Sequence, residues 1–149
     1  MKNILVLLFL SFSFFGFSQK INLKKGEVTV DKQLWLKYDG CGITNNVCSL
    51  YNLNGEEIIF IKFHKIQGVQ PVSNFSDGSL NYSEVIFLGK DKKFEIRDSN
   101  KNIVKLLYNS KVLNDDGTLN IDSINRLSEK YGTEFSDKYN VGKTIIINN

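Results

Sequence analysis

The sequence predicts an α+β fold: an antiparallel β-sheet meander of about 6–8 strands followed by a C-terminal pair of short helices. Three observations carry this. Asn54-Gly55 separates two β-prone runs in VCSLYNLNGEEIIFIKFH, residues 47–64, and Asn-Gly is the strongest short hairpin signal a sequence can hold. Upstream of it, short runs alternate apolar and polar residues and follow one another across connections of a few residues. Downstream of Asp98 the apolar period lengthens to that of a helix, twice.

The chain opens with a different kind of segment. Lys2 supplies a short positive region, an apolar run follows from Ile4 to Phe17, and Gly16 and Ser18 stand at −3 and −1 of a cut after Ser18. This is the pattern of a secretory signal peptide over residues 1–18, which leaves 19–149 as a single α+β domain beginning at Gln19. A membrane span needs roughly 18–20 apolar residues and this run stops short, so no span is expected after cleavage. Cys41 lies too far downstream for the cut to make a lipoprotein.

In the domain itself, 20–23 and 27–30 share apolar positions at Ile21, Leu23, Val28 and Val30 across Lys24-Lys25-Gly26. Asp31-Lys32 then makes a tight turn into 33–39. If Asn54-Gly55 is a two-residue type I′ turn, Leu50 faces Ile59, Cys48 faces Ile61 and Tyr51 faces Ile58. Cys48, Leu50, Ile59, Ile61 and Phe63 then form the core face. Residues 65–80 hold the single proline and many Gly, Ser and Asn, which reads as a long surface loop. Strand character returns at 81–89 and 94–97.

Ser99 or Asn100 caps a first helix whose stripe is Ile103, Leu106, Leu107 and Ser110. Asn120 caps a second, with Asp122 at its positive end, Ile121, Ile124, Leu127 and Tyr131 as its stripe, and Gly132 as its stop. Thr144-Ile145-Ile146-Ile147 is β-prone and predicts one more strand.

Composition excludes more than it assigns. The formal net charge is +3, and signal cleavage removes only Lys2, so no basic stripe for nucleic acid or an anionic membrane results. Cys41 and Cys48 are the two cysteines. In an exported chain they predict a disulfide, closing a small Gly- and Asn-rich loop and worth on the order of 2–3 kcal/mol. One histidine and a C-x₆-C spacing make a poor zinc pattern, and no C-x-x-C redox pair is present.

Candidate chemistry is sparse. His64, the only histidine, falls on a strand and reads as a rim residue. Glu56 and Glu57 point to opposite strand faces, so they cannot converge on one bond. NDDGTLNID, residues 114–122, approaches a calcium loop with Gly117 at position 6. Val112 and Ser123 then stand where the first Asp and the twelfth-position Glu belong, so a helix-connecting turn is expected there instead. No catalytic motif, cofactor loop or metal set emerges. Trp35, Tyr38, Tyr51 and Phe60 are a possible binding patch on the less apolar sheet face, suited to a protein or a glycan; otherwise they are a second core layer.

A signal ending FSQ, the KGEVTVD hairpin, YNLNGEEIIFIK, KVLNDDGTLN and a helix ending KYG together resemble small exported proteins of flavobacteria (Bacteroidetes). The resemblance implies source and compartment and carries no activity. The functional expectation is a periplasmic or secreted, non-enzymatic binding module for a protein or envelope component. An enzyme with an Asp/Tyr/Lys site and a structural or stress-related envelope protein are the alternatives.

Overall fold

The computed structural model describes residues 19–42, 45–67 and 78–139. The segment 1–18, read from the sequence as a signal peptide, and the strand expected at 144–147 lie outside the described residues. Among the described residues seven strands run in chain order: β1 Ile21–Lys24, β2 Glu27–Val30, β3 Gln33–Asp39, β4 Val47–Tyr51, β5 Glu57–Gln67, β6 Ser79–Phe87 and β7 Lys92–Ile96. Every strand pairs antiparallel with its sequence neighbours, so the sheet order is the chain order. Helices α1 Asn100–Asn109, α2 Ile121–Tyr131 and α3 Glu134–Tyr139 follow. The α+β meander with C-terminal helices is the predicted architecture; α3, which follows α2 after a break at Gly132, is not. β5 and β6 also run into the segment read as loop, to Gln67 and from Ser79.

The turns show how sequence became register. Two-residue turns with positive φ at both positions join β1 to β2 at Lys25 (54°) and Gly26 (80°), and β2 to β3 at Asp31 (50°) and Lys32 (73°). The central hairpin does not use this turn. Only Gly55 is positive there, at 86°. Asn52 N–H donates to the Glu56 carbonyl at 2.9 Å and Gly55 N–H to the Asn52 carbonyl at 3.0 Å, which closes a three-residue loop. The cause is the Asn52 side chain. Its Oδ1 accepts the backbone N–H groups of Asn54 and Glu56, and its Nδ2 donates to the Glu56 carboxylate. An asparagine bonding its own backbone two residues on competes successfully with the tighter turn.

A bulge absorbs the extra turn residue. Leu50 faces Ile59 and Cys48 faces Ile61, as predicted, but Tyr51 faces Glu57 and not Ile58. Ile58 is the inserted residue, and so Ile58 and its neighbour Ile59 are both buried. β3 repeats the device. Val28 pairs with Leu36 and Thr29 with Leu34, leaving Trp35 as the extra residue.

One sheet face and the inner stripes of α1 and α2 make the main core, with Leu36, Leu50, Ile59, Ile61, Phe87 and Phe94 fully buried. Each such side chain contributes about 1.5–3 kcal/mol of transfer free energy. From α1 the buried residues are Ile103, Val104 and Leu107, and from α2 Ile124 and Leu127. Ser99 and Asn120 cap the two helices, each accepting a backbone N–H three residues on. α1 lies against β1 and α2 against β7, so the helical layer reaches both edges of the sheet. Phe63 continues the core face in register, opposite Ser83, but is 42% exposed and lies outside the core cluster.

At Gly132 the chain passes round the β7 edge. The Gly132 carbonyl accepts the Glu95 N–H at 2.8 Å, occupying a donor of the edge strand. α3 then packs on the opposite sheet face, where the Phe135 and Tyr82 ring centroids are 5.3 Å apart. Leu80 and Tyr82, with Ile66 and Phe135 beside them, form a small second core there.

Candidate functional site

The Cys41–Cys48 disulfide is formed, with a Cα separation of 4.3 Å. It ties the loop after β3 to the first turn of β4. Gly40 opens that loop with φ 71°, and a Cβ there would meet the Val47 carbonyl oxygen at 3.0 Å, so glycine is required. Asn100 Nδ2 donates to the Cys41 carbonyl at 3.4 Å, which links the bridged loop to the start of α1. On the other side, Tyr38 N–H donates to the Gly26 carbonyl at 2.8 Å and draws the β1–β2 hairpin tip alongside.

These three pinned segments surround a cleft of about 980 Å³. The hairpin supplies Asn22, Leu23, Lys24, Lys25, Glu27 and Thr29, and the bridged loop supplies Cys41, Gly42, Asn45 and Asn46. Tyr38, Phe63 and Ser83 come from the sheet, and residues 98–101 come from the α1 start. Its volume falls at the upper end of the roughly 300–1,000 Å³ range of small-molecule sites. Most of the lining residues carry an amide, hydroxyl or ammonium group, while the larger part of the surface they expose is apolar carbon. Its two carboxylates are Glu27 and Asp98, and Asp98 Oδ1 already accepts the Ser99 N–H and the Asn102 Nδ2 at 2.7 Å each.

A second polar cluster occupies the opposite sheet face. Glu84 accepts from Lys93 Nζ at 2.7 Å and lies 3.3 Å from His64 Nε2. The His64 ring stacks on Tyr82 with centroids 4.8 Å apart. Burial alone would raise the Glu84 pKa, but hydrogen bonds and charge from Lys93 and His64 outweigh it and hold the carboxyl below its usual range. Burial, then the charges of Glu95 and Glu84, pushes the Tyr82 phenol up to about 12. Glu95, 2% exposed, accepts the Phe135 and Ser136 N–H groups at 2.8 and 2.9 Å. The cluster's visible work is to seat α3: one carboxylate caps the helix and Tyr82 holds Phe135.

The four aromatic residues of the predicted patch are divided between two faces. The β3 bulge turns Trp35 toward the core, where it meets Tyr108 of α1 edge-on at 5.0 Å. Tyr38 packs against the same core and lines the cleft. Tyr51 and Phe60 are half-buried on the opposite face, on alternate positions from Leu50 and Ile59. His64 lies on that face too, within the Glu84–Tyr82 cluster.

Residues 114–118 form a turn of the same design as 52–56. Asn114 N–H donates to the Thr118 carbonyl at 2.9 Å, Gly117 N–H to the Asn114 carbonyl at 3.0 Å, and Gly117 has φ 81°. Thr118 donates to Asp116 Oδ1 through its amide at 2.9 Å and its hydroxyl at 2.6 Å, which holds the carboxyl below its usual range. Asp116 therefore serves the turn. Among the described residues no three His, Cys, Asp or Glu side chains gather as a metal set, and no helix is long and apolar enough to cross a membrane.

Sequence reasoning missed the cleft because its three walls and the sheet residues between them come from separate segments, none of which carries a motif. The one legible signal was the cysteine pair, which marks one wall. No family model, curated protein or solved structure matches the chain.

Proposed function

We propose that the chain is an exported binding module that holds a ligand in the cleft between the β1–β2 hairpin, the Cys41–Cys48 loop and the start of α1. The observation that carries this reading is the pinned frame of the cleft. A disulfide, an interloop hydrogen bond to Cys41 and a backbone bond from Tyr38 fix its three walls in advance, which lowers the ordering cost of binding. The lining favours holding over turnover. Catalysis by proton transfer or nucleophilic attack uses a base within hydrogen-bond reach of its partner. Here Asp98 Oδ1 already accepts from the Ser99 N–H and the Asn102 amide, and among the described residues Glu27 has no hydrogen bond to a nucleophile or second acid. The disulfide is compatible with an oxidising compartment, and the signal pattern of 1–18 supplies the route.

The test is capture from an envelope extract by the tagged protein starting at Gln19, beside Phe63→Ala. Phe63 is exposed, so the variant should fold. Loss of capture by Phe63→Ala supports the cleft, and equal capture by both proteins refutes it. Intact-mass measurement on exported material checks the address, since a mature chain should begin at Gln19.

A further inference from the structure

We infer that the ligand of this cleft is an acidic oligosaccharide, a sugar chain bearing carboxylates; the inference rests on the binding-module reading above. The first reason is length. A second depression of about 420 Å³ shares Phe63, Ser83 and Asp98 with the cleft and continues it to Asn81 and Arg97. The site is thus a groove that passes over Phe63, suited to a chain more than to a single small molecule.

The second reason is the chemistry of the walls. Asn22, Asn45, Asn46 and Asn100 each present an amide that both donates and accepts. Sugar hydroxyls do the same, so paired donor–acceptor contacts are available along the groove. Phe63, 42% exposed at the junction of the two depressions, offers an aromatic surface for the C–H face of a pyranose ring. A peptide would instead use a deep apolar pocket for an anchor side chain. The apolar side chains here are Leu23, Tyr38, Phe63 and the disulfide, set among residues whose carbon stems carry amide, hydroxyl or ammonium heads.

The third reason is charge. Lys24, Lys25 and Lys101 line the cleft, and the ion pairs among the described residues, Glu84 with His64 and with Lys93, involve none of them. Their counter-charges in the groove are Glu27 and Asp98, whose Oδ1 already accepts from Ser99 and Asn102. The balance is positive, and spaced ammonium groups complement a carboxylate on successive sugar units.

The experiment is calorimetric titration of the disulfide-bonded protein starting at Gln19. The probes are hexamers of galacturonate, guluronate and hyaluronan, with cellohexaose, hexaglutamate and a thymidine hexanucleotide as contrasts. At least one carboxylated saccharide should bind tighter than about 1 mM and at least tenfold tighter than the three contrasts. Phe63→Ala should weaken it tenfold or more. Lys24→Gln/Lys25→Gln/Lys101→Gln should weaken it similarly and flatten its dependence on salt, with near-ultraviolet dichroism confirming that both variants fold. No carboxylated saccharide binding at that level overturns the proposal, as does equal binding of cellohexaose, of hexaglutamate or of the hexanucleotide. Saccharide failure with Phe63-dependent envelope capture sinks only the sugar assignment. Capture that ignores Phe63 sinks the cleft reading with it.

Discussion

Replacing Glu95 by alanine should release α3 from the sheet while leaving the main core intact. The Glu95 carboxylate is buried and accepts two backbone N–H groups at the start of α3, at 2.8 and 2.9 Å. Hydrogen bonds to a charged group contribute roughly 1.5–3 kcal/mol each, and a carboxylate at a helix N-terminus adds about 0.3–1 kcal/mol. These terms overlap, because the same two amides supply both. The ceiling is set by what holds α3 at all, since six residues are too few for a helix to persist undocked. Glu95→Ala should therefore cost about 3 kcal/mol, and Glu95→Gln, which keeps one neutral acceptor, about 1 kcal/mol. In urea, with a slope of about 2 kcal/mol/M, the alanine midpoint should fall by about 1.5 M. Amide exchange separates this from a general loss: Phe135 and Ser136 should lose protection while Ile59 and Val85 keep theirs. An alanine variant with an unchanged midpoint and protected Phe135 and Ser136 amides would refute the capping role.

Ultraviolet titration should show one tyrosine ionising near pH 12, absent in Tyr82→Phe. The raised value means that its stabilising contribution is full below the ordinary phenol pKa of about 10 and is lost as pH climbs from there toward 12. Glu84 has the opposite sign, because its folded pKa is depressed. Its contribution is full above the ordinary carboxylate pKa of about 4.3 and disappears as pH falls through the folded value, so Glu84→Gln should flatten the acid limb of stability against pH. Ile59→Ala, at a fully buried position, should cost roughly 2–5 kcal/mol in denaturant unfolding, and a wild-type midpoint would show that the site is not core. Reducing the Cys41–Cys48 bridge should cost about 2–3 kcal/mol and weaken capture through the cleft. Thiol labelling under denaturing, non-reducing conditions should find neither cysteine free.

The meander and the caps could be read because each is a local property. Alternation, a two-residue gap, or Ser99 and Asn120 before a helical stripe needs no distant partner. The central hairpin was legible in place but not in kind. Asn54-Gly55 names a tight turn, yet Asn52 had a better set of bonds to offer, and the resulting bulge moved Tyr51 and Ile58. Trp35 was misplaced for the same reason, a one-residue insertion that alternation cannot reveal. α3 has too short a period to register, and its support, Glu95, looks from the sequence like an ordinary surface acid between Phe94 and Ile96. Phe63 keeps the alternation of a core strand, yet it lies outside the core cluster and stays exposed. The two cysteines gave one wall of the cleft, while Tyr38, the lysines and the α1 start reach it only through the fold.

Because strand order is chain order, each pairing step joins segments already tethered by a short connection, apart from the stretch between β5 and β6. Loop-closure entropy grows with tether length, so this topology keeps the kinetic barrier low for a sheet of seven strands. The hairpins can zip outward from 47–64 without any strand waiting for a distant partner. Oxidation fits the same order of events. Cys41 and Cys48 are close in the chain before anything folds, and two cysteines admit a single intramolecular pairing, so no reshuffling phase is needed. Refolding from the reduced, denatured chain should then need no disulfide reshuffling step.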